Sequence, residues 1–310
     1  MTTVDRDPAA GAEPFVSVVV LSYNSERHLT GCLASLARSR GVRLEVIVVD
    51  NASQDRSAEI AARHTVLSRF IQTGANLGYS GGNNVGWRAA TAPIVVFLNP
   101  DCWPEPDAIR LMVDELERDA TVGIVGARLL YPHTDLIQHA GGVLYPNGMC
   151  EHLGLMKKDG PEWRTIRDVD YVTGALIAIR RGDVEALGGF DEEYHPAYYE
   201  ESDWCVRLAR AGRRVRYAGA AAAYHAESPG LTKLSWRFQR TNHRSRWRFV
   251  IKNHGLWHIA TRALPFEWRW MRAAHSRGYR RAVLLTWPGA VLFALRCLLR
   301  FSRRRRAARG

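Results

Sequence analysis

The sequence predicts an α/β fold in which a mainly parallel, Rossmann-like mixed sheet is flanked by helices. Short runs of β-branched and apolar residues alternate with segments whose apolar residues repeat at helical spacing, which is typical of strand–helix–strand units. Polar and acidic residues directly follow several of these runs, where open α/β sheets bind their ligands. With 310 residues, 46% of them hydrophobic, the chain is long enough to bury a substantial core.

The predicted elements follow one another as strand, helix, strand, helix. They are the strand Phe15 to Leu21, the helix Ser25 to Ser39, the strand Leu44 to Val49, the helix Ser57 to His64 and, further along, the strand Ile94 to Leu98. One side of the first helix is apolar and is expected to face the sheet. That side consists of Leu29, Cys32, Leu33 and Leu36.

A glycine-rich segment, Asn76 to Gly86, lies before the strand that begins at Ile94. Its glycines allow close approach of the backbone to a ligand, and a helix starting near Gly82 would direct free backbone N–H groups at an anion. A glycine-rich turn without a ligand is equally compatible with this pattern. The spacing matches neither a Walker loop nor a dinucleotide fingerprint.

The junction Asn99-Pro100-Asp101 ends the buried strand abruptly. An acidic side chain at this position lies where α/β sheets bind their ligands, and packing of the strand does not require it there. The pattern therefore predicts that Asp101 binds a metal ion or a phosphate.

A second acidic cluster contains Glu200, Glu201 and Asp203, in the first turn of a helix predicted to continue to Ala211 and to stop at Gly212. Acids at this end stabilise a helix through its dipole, so a structural role explains each of them singly. A general base there would need burial or acidic neighbours to raise its pKa.

Charge divides the chain into two parts. Residues 231–310 hold 20 of the 43 Lys and Arg residues and one acidic residue, Glu267, so they carry about +19, while residues 1–230 carry about −7. Six of the ten tryptophans also lie in the basic part: Trp236, Trp247, Trp257, Trp268, Trp270 and Trp287. Tryptophan with arginine suits nucleic acid or the headgroup layer of a bilayer.

The apolar segment Ala282 to Phe301, followed by the four arginines 303–306, favours the bilayer. Pro288, Arg296 and Arg300 disfavour a spanning helix, so a helix lying in the interface is preferred. An amphipathic helix docked on the protein's own core is the alternative. An anionic membrane surface is thus the expected partner, and nucleic acid is not.

Three regions are predicted: a disordered tail over residues 1–14, a catalytic domain over 15–235 and a basic helical extension over 236–310. The tail lacks the apolar region of a signal peptide. The five cysteines show no metal-ligand spacing and are expected to be reduced. Together these features predict a cytoplasmic protein, peripheral on the inner face of the cell membrane.

Several segments, taken in order, resemble the inverting family 2 glycosyltransferases of the GT-A fold. The matching stretches are SVVVLSYN, Asp50-Asn51-Ala52-Ser53, NLGYSGGNNVG, VVFLNPD, VTGALIAIRR, GGFDEEY, YYEESDWCVRLARAG and Tyr224-His225, and they cover roughly residues 15–228. Within that family, the chain looks most like the rhamnosyltransferase-like branch that builds cell-surface polysaccharides.

The resemblance implies roles for individual residues. Asp50 would accept a hydrogen bond from the nucleotide base, and Asp101 would be a metal ligand for Mg²⁺ or Mn²⁺, with Asn99 where many relatives have a second carboxylate. His225 would complete the metal shell, although a structural histidine in a loop is the alternative. The other residues expected to bind the nucleotide or donor are Ser22, Tyr23, Asn76, Gly78, Asn83, Asn99, Thr173 and Gly174.

The resemblance also implies the catalytic residues and the substrates. Glu201 would be the catalytic base, and Asp203 is the second candidate, with orientation of the acceptor or capping of the helix as its alternative roles. The donor would be a nucleotide sugar, with thymidine diphosphate rhamnose favoured over uridine or guanosine diphosphate sugars. The acceptor would be a lipid-linked or polysaccharide glycan, covered by a variable flap from Pro132 to Arg167.

Two other functions stay open from the sequence. A sugar nucleotidyltransferase has a related sheet, but no early glycine-rich activation loop bearing Arg and Lys is present. A non-catalytic membrane or nucleic-acid binding protein could keep the fold as a scaffold. The presence of Asp50, Asp101 and Glu201 together favours the enzyme.

Overall fold

The computed structural model describes residues 13–226 and 235–273, together with positions 280, 283–286 and 289. In this part of the chain ten strands form one sheet, with the order β10-β12-β6-β11-β4-β1-β2-β3, while β5 pairs with β12 and β7 with β6. The strands are β1 (Phe15–Ser22), β2 (Arg43–Asp50), β3 (Leu67–Gln72), β4 (Ile94–Leu98), β5 (Cys102–Pro104), β6 (Val122–Leu130), β7 (Ile137–His139), β8 (Gly142–Leu144), β9 (Cys150–His152), β10 (Ile166–Asp168), β11 (Leu176–Arg180) and β12 (Arg214–His225).

The helices lie on both faces of this sheet. They are α1 (Glu26–Leu36), α2 (Ser57–Arg63), α3 (Gly78–Ala89), α4 (Ala108–Arg118), α5 (Arg181–Leu187), α6 (Glu200–Arg210), α7 (Trp236–Asn253), α8 (Leu256–His258) and α9 (Leu264–Ala273). Short 3₁₀ helices occur at Pro161–Trp163 and Glu192–Tyr194, and a π-helical stretch, Ile259–Ala263, joins α8 to α9.

The sheet is mixed but mainly parallel on its N-terminal side, as predicted. Strands β4, β1, β2 and β3 are parallel neighbours, and β6 is parallel to β12. Strand β11 is antiparallel to both β4 and β6 and therefore joins the two parallel groups. The five elements predicted from the sequence are all present, and the bounds of β4 agree with the prediction.

Alternating side chains of β1 enter two separate cores. Val18 belongs to a core completed by α1 and α4, whose Leu29 and Met112 are fully buried. Val19 belongs to a second core on the opposite face, which α6 completes with Trp204. Both faces of β1 are therefore covered, which explains its unbroken apolar sequence.

The helix α3 begins at Gly78 and not near Gly82, so the predicted start was wrong by about one turn. Within this helix Gly82 and Gly86 face β1. A methyl group at Gly82 would lie 2.3 Å from a Cδ atom of Leu21, and one at Gly86 would lie 2.2 Å from a Cγ atom of Val19. These two glycines allow close helix–strand packing, whereas the sequence suggested that they make room for a ligand.

The region predicted as a flap, Pro132 to Arg167, is tied to the sheet at both ends. Strand β7 pairs with β6, and β10 pairs with β12. Between them β8 and β9 form a separate hairpin. Only part of this region is thus available to cover a site.

The first half of the basic extension packs directly against the preceding α/β domain. Trp247, Phe249 and Val250 of α7 form a third buried cluster with Tyr194 and Tyr199. Most of the predicted N-terminal tail and of the apolar segment Ala282 to Phe301, and all four arginines of 303–306, lie outside the described residues.

Among the described helices, none has the length and apolar character needed to cross a bilayer. The four cysteines that the structure describes, Cys32, Cys102, Cys150 and Cys205, are free, as predicted. The fifth, Cys297, lies outside the described residues.

Candidate active site

The carboxyl ends of three parallel strands bring predicted site residues to one edge of the sheet. Ser22 and Asp50 are register partners at the ends of β1 and β2, and Asn99 directly follows β4. Because β1 lies between β2 and β4, the three side chains belong to one cleft edge. This is the edge where open α/β sheets bind ligands.

Two buried polar atoms at this edge lack a hydrogen-bond partner. The Oδ1 atom of Asp50 and the Oγ atom of Ser22 are buried and unpaired, while the other carboxylate oxygen of Asp50 accepts a bond from the backbone N–H of Ser53 at 3.3 Å. Unpaired buried polar groups destabilise a fold unless a ligand satisfies them. A donor group of a bound ligand fits this position, and Tyr23, which is exposed, borders it.

Asn51 organises the loop that precedes α3. Its side chain accepts a bond from the backbone N–H of Leu77 at 2.9 Å and donates to the Gly78 carbonyl and the Asn76 Oδ1 atom, each at 3.1 Å. Gly78 has a φ of +73° and its N–H donates to Asn76. Asn76 and Gly78 therefore shape the loop, and Asn51, to which the sequence assigned no role, fixes it against β2.

The two asparagines of α3 differ in what they contact. Asn83, a predicted donor-binding residue, is buried and its side chain donates to the Tyr79 carbonyl at 3.1 Å. Asn84 bonds both the N–H and the carbonyl of Phe190 as well as the Glu192 carboxylate. Asn84 thus joins α3 to the segment that leads towards α6.

Asp101 and His225 meet at the junction of β5 and β12. The His225 Nε2 atom lies 3.3 Å from Asp101 Oδ1 and 3.4 Å from Asn99 Nδ2. On the other side of the ring, His225 Nδ1 lies 2.6 Å from the Oε1 atom of Gln138. This bond places the ring proton on Nδ1 and leaves the Nε2 lone pair directed towards Asp101.

This donor set fits a divalent cation bound jointly with substrate. An imidazole nitrogen with an oriented ring and a carboxylate oxygen are ligands for such an ion. Within the described residues, however, no group of three or more His, Cys, Asp or Glu side chains forms a metal site. Two protein ligands leave the remaining positions for phosphate oxygens and water, as is usual for Mg²⁺.

Glu201 lies beside the loop that links β10 to β11. A methyl group at Gly174 would lie 2.4 Å from the Tyr79 hydroxyl and 3.7 Å from the Glu201 Cβ atom. The next residue, Ala175, accepts a bond from the Asn99 backbone N–H at 2.9 Å. One short contact chain therefore connects Glu201 to the Asn99–Asp101 junction.

Tyr79 and Thr173 complete this region. The Tyr79 hydroxyl donates to the Gly174 carbonyl at 2.8 Å. Burial raises the pKa of Tyr79, and the carboxylates of Glu201 and Glu200 raise it further. The backbone N–H of Thr173 donates to the Nε2 atom of His139, which belongs to β7.

The two glutamates at the start of α6 have perturbed pKa values. Burial raises the pKa of Glu201 to about 7. Glu200 is more deeply buried and has an unpaired Oε2 atom, and burial followed by repulsion from Glu201 raises its pKa well above the usual value. Near neutral pH, Glu200 therefore carries the proton and Glu201 is the carboxylate able to accept one.

Asp203, the second candidate for the base, is fully buried and bonded through both oxygens. It accepts bonds from Arg207 and Lys252 at 2.8 and 3.0 Å and from Tyr194 and Asn253 at 3.1 and 2.7 Å. Because two of these partners belong to α7, its contacts favour a structural role that joins α6 to the extension.

Known proteins that are similar to this chain in sequence include several glycosyltransferases. The family model of Glycosyl transferase family 2 matches residues 17–165. The N-acetylglucosaminyl-diphospho-decaprenol L-rhamnosyltransferase of Mycobacterium tuberculosis is 28% identical over 282 residues, covering 81% of this chain and 87% of the relative. The low-salt glycan biosynthesis hexosyltransferase Agl10 of Haloferax volcanii is 24% identical, covering 72% of this chain and 71% of the relative.

Solved structures with the same fold are GT-A glycosyltransferases. The mannosyltransferase PcManGT from Pyrobaculum calidifontis, in complex with GDP-Man and Mn²⁺, superposes with a TM-score of 0.59 at 20% identity, covering 95% of this chain and 90% of that chain. GalNAc-T7 with UDP, GalNAc and Mn²⁺ gives a TM-score of 0.62 at 15% identity, covering 77% of this chain and 48% of that chain. The GT-A fold expected from the sequence is thus confirmed.

Proposed function

Since the chain belongs to glycosyl transferase family 2 through residues 17–165, we propose that it transfers a sugar, with inversion, from a nucleoside-diphosphate donor to a hydroxyl of a lipid-linked or cell-surface glycan. The observation that carries the proposal is the contact chain from Glu201 through Gly174 and Ala175 to the Asn99–Asp101 junction. This connection supports assigning the candidate base and the candidate metal site to one reaction centre.

The donor side uses the unpaired atoms at the sheet edge. Asp50 Oδ1 accepts a hydrogen bond from an imino N–H of the base, and Ser22 Oγ lies in the same pocket. Rhamnose is the proposed sugar because a relative at 28% identity is named as a rhamnosyltransferase. The name of that relative also specifies a diphospho-decaprenol acceptor, which supports a lipid-linked acceptor here.

Transfer proceeds by one displacement at the anomeric carbon. Glu201 accepts the proton of the acceptor hydroxyl as that oxygen attacks, and the nucleoside diphosphate leaves from the opposite face. Asp101 and His225 would hold Mg²⁺ or Mn²⁺, which would neutralise charge on the departing phosphate. A direct displacement inverts the anomeric centre and needs no nucleophilic side chain of the enzyme.

The test is transfer of a labelled sugar from a panel of nucleotide sugars to a diphosphate-linked lipid acceptor in the presence of Mn²⁺. Formation of a labelled lipid product with one preferred donor is the expected result. Binding of nucleotide without transfer or hydrolysis would instead indicate a scaffold protein.

The activity is expected to depend on pH through Glu201. The base must be ionised, and its pKa is raised to about 7 by burial. Consequently, kcat/KM should fall about tenfold for each pH unit below 7 and reach a plateau above it. Rates measured from pH 5.5 to 8.5, with donor binding measured in parallel, check this. A flat profile between pH 5.5 and 7 would contradict the assignment, because a glutamate with an ordinary pKa near 4.3 is ionised throughout that range.

We further propose that the protein binds peripherally to the inner face of the cell membrane. In the described part of the extension, Trp257, Trp268 and Leu256 are 81%, 61% and 59% exposed. The acid in that part, Glu267, is buried against Arg246 and does not offset the surface cations. Exposed indole rings beside arginines favour an anionic bilayer surface.

Replacing Trp257 and Trp268 by Ala in the full chain is expected to weaken binding to anionic vesicles about tenfold or more, since burial of each ring contributes at least roughly 1 kcal/mol. Co-sedimentation with phosphatidylglycerol vesicles at low salt measures this. The matched control replaces the exposed Leu155 and Met156 of the catalytic domain by Ala and should leave binding unchanged. Equal binding by the tryptophan variant and wild type would exclude these two rings as anchors.

A further inference from the structure

An open cleft of about 480 Å³ lies beside the loop that leads into α6. The proposed reaction assigns no role to it. Its lining consists of Pro196 from that loop and, from α7, Trp236, Arg237, Arg240, Thr241 and Arg244. We refer to it as the arginine cleft.

The arginine cleft is lined by three positively charged side chains. Arg237, Arg240 and Arg244 are three and four residues apart, so they lie on one side of α7. Across the described residues, no acidic side chain comes within ion-pair distance of these three arginines. Burial, followed by repulsion from Arg248 and Arg240, lowers the pKa of Arg244. An anion in the cleft would relieve this repulsion.

The cleft is held close to the reaction centre. Arg244 donates to the His195 carbonyl at 2.6 Å, and the neighbouring Pro196 carbonyl accepts a bond from the Tyr79 N–H at 3.0 Å. Pro196 is five residues from Glu201, which limits their separation to about 17 Å even for an extended chain. A diphosphate in the cleft can therefore belong to an acceptor whose hydroxyl reaches Glu201.

We propose that the arginine cleft binds the diphosphate of the lipid-linked acceptor, an inference that rests on the proposed function. The guanidinium group forms paired hydrogen bonds to phosphate oxygens, and three such groups suit two adjacent phosphates. Trp236 is half-exposed at the cleft and contacts the first apolar part of the lipid. The sugar attached to the diphosphate then reaches Glu201.

The test uses two acceptors that carry the same saccharide on chains of equal length. One chain is linked through a diphosphate, and the other is an uncharged alkyl glycoside. Both are assayed in neutral detergent with wild type and with Arg240→Gln, a change at an exposed side chain. The variant should raise KM for the diphosphate acceptor roughly tenfold to a hundredfold, as for one lost hydrogen bond to a charged group. KM for the uncharged acceptor and for the donor should stay unchanged.

Two further variants make the result specific. Arg240→Lys retains the charge and should restore part of the affinity, while Arg272→Gln removes an exposed arginine of α9 and should change neither KM. Inorganic pyrophosphate should inhibit wild type competitively against the diphosphate acceptor and inhibit Arg240→Gln less.

Each other outcome overturns the inference. An unchanged KM for the diphosphate acceptor removes the cleft from acceptor binding. A raised KM for the donor assigns the cleft to the donor diphosphate. A change in KM that appears only when the assay is repeated on anionic phosphatidylglycerol vesicles assigns the cleft to phospholipid headgroups. Absence of transfer to either acceptor by wild type would instead refute the proposed function, so the two failures are distinguishable.

Discussion

Glu201→Gln is expected to lower kcat by roughly 10²- to 10⁴-fold, the usual contribution of a general base. Glutamine keeps the size of the side chain beside Gly174 but does not accept a proton. Donor binding should be unchanged, because the atoms assigned to the nucleotide lie at the ends of β1 and β2. Transfer of labelled sugar and calorimetric binding of the nucleotide measure the two effects separately.

The control for this variant is Glu193→Gln, which neutralises an exposed acid of the 3₁₀ helix Glu192–Tyr194 and should leave kcat unaltered. If Glu201→Gln retained wild-type turnover, the base would have to be reassigned. Asp203→Asn would then be the next variant, although the four partners of Asp203 indicate that it would mainly lose stability.

Glu267→Gln is expected to reduce the free energy of unfolding by about 3–5 kcal/mol, the usual cost of removing one partner of a buried ion pair. Arg246 and Glu267 are both fully buried and form two contacts of 2.7 and 2.8 Å. Asn147, in the loop between β8 and β9, bonds both members of the pair. The substitution leaves the guanidinium buried without its counter-charge. Urea denaturation measures the loss.

The matched control is Glu59→Gln, which breaks the exposed pair of Glu59 with Arg63 and should cost no more than about 0.5 kcal/mol. Replacing Arg246 and Glu267 together by Met should recover most of the stability, since no charge then remains buried. A loss below about 1 kcal/mol for Glu267→Gln would show that the pair does not hold α7 and α9 in place.

The strands that carry the site were predictable because burial on both faces leaves a continuous apolar pattern in the local sequence. Strands such as β4 are covered on both faces, so their sequences are unbroken apolar runs, and the acidic residues Asp50 and Asp101 stand out at or just beyond the ends of those runs. The start of α3 was not predictable in this way. Glycine is a poor helix former, and the helix forms through Gly78 to Gly86 because its packing on Leu21 and Val19 outweighs that preference.

The hydrogen-bond partners of the site residues were not predictable, because they lie in segments that are distant in the sequence. Gln138 orients His225 across 87 residues, and Asn51 fixes the loop before α3. Neither belongs to a pattern in its own neighbourhood, so only the fold reveals the pairing. The order of β6, β11 and β12 is likewise set by long-range register, which one sequence does not encode in any local signal.

The four contacts of Asp203 have a consequence for engineering. Lys252 and Asn253 of α7 share this carboxylate with Arg207 and Tyr194, so the extension anchors α6, the helix that carries the proposed base Glu201. A chimera that exchanges the extension between relatives at residue 235 would separate those partners. To keep these contacts, α6 and α7 should be exchanged together as one module, joined at a boundary beyond residue 273.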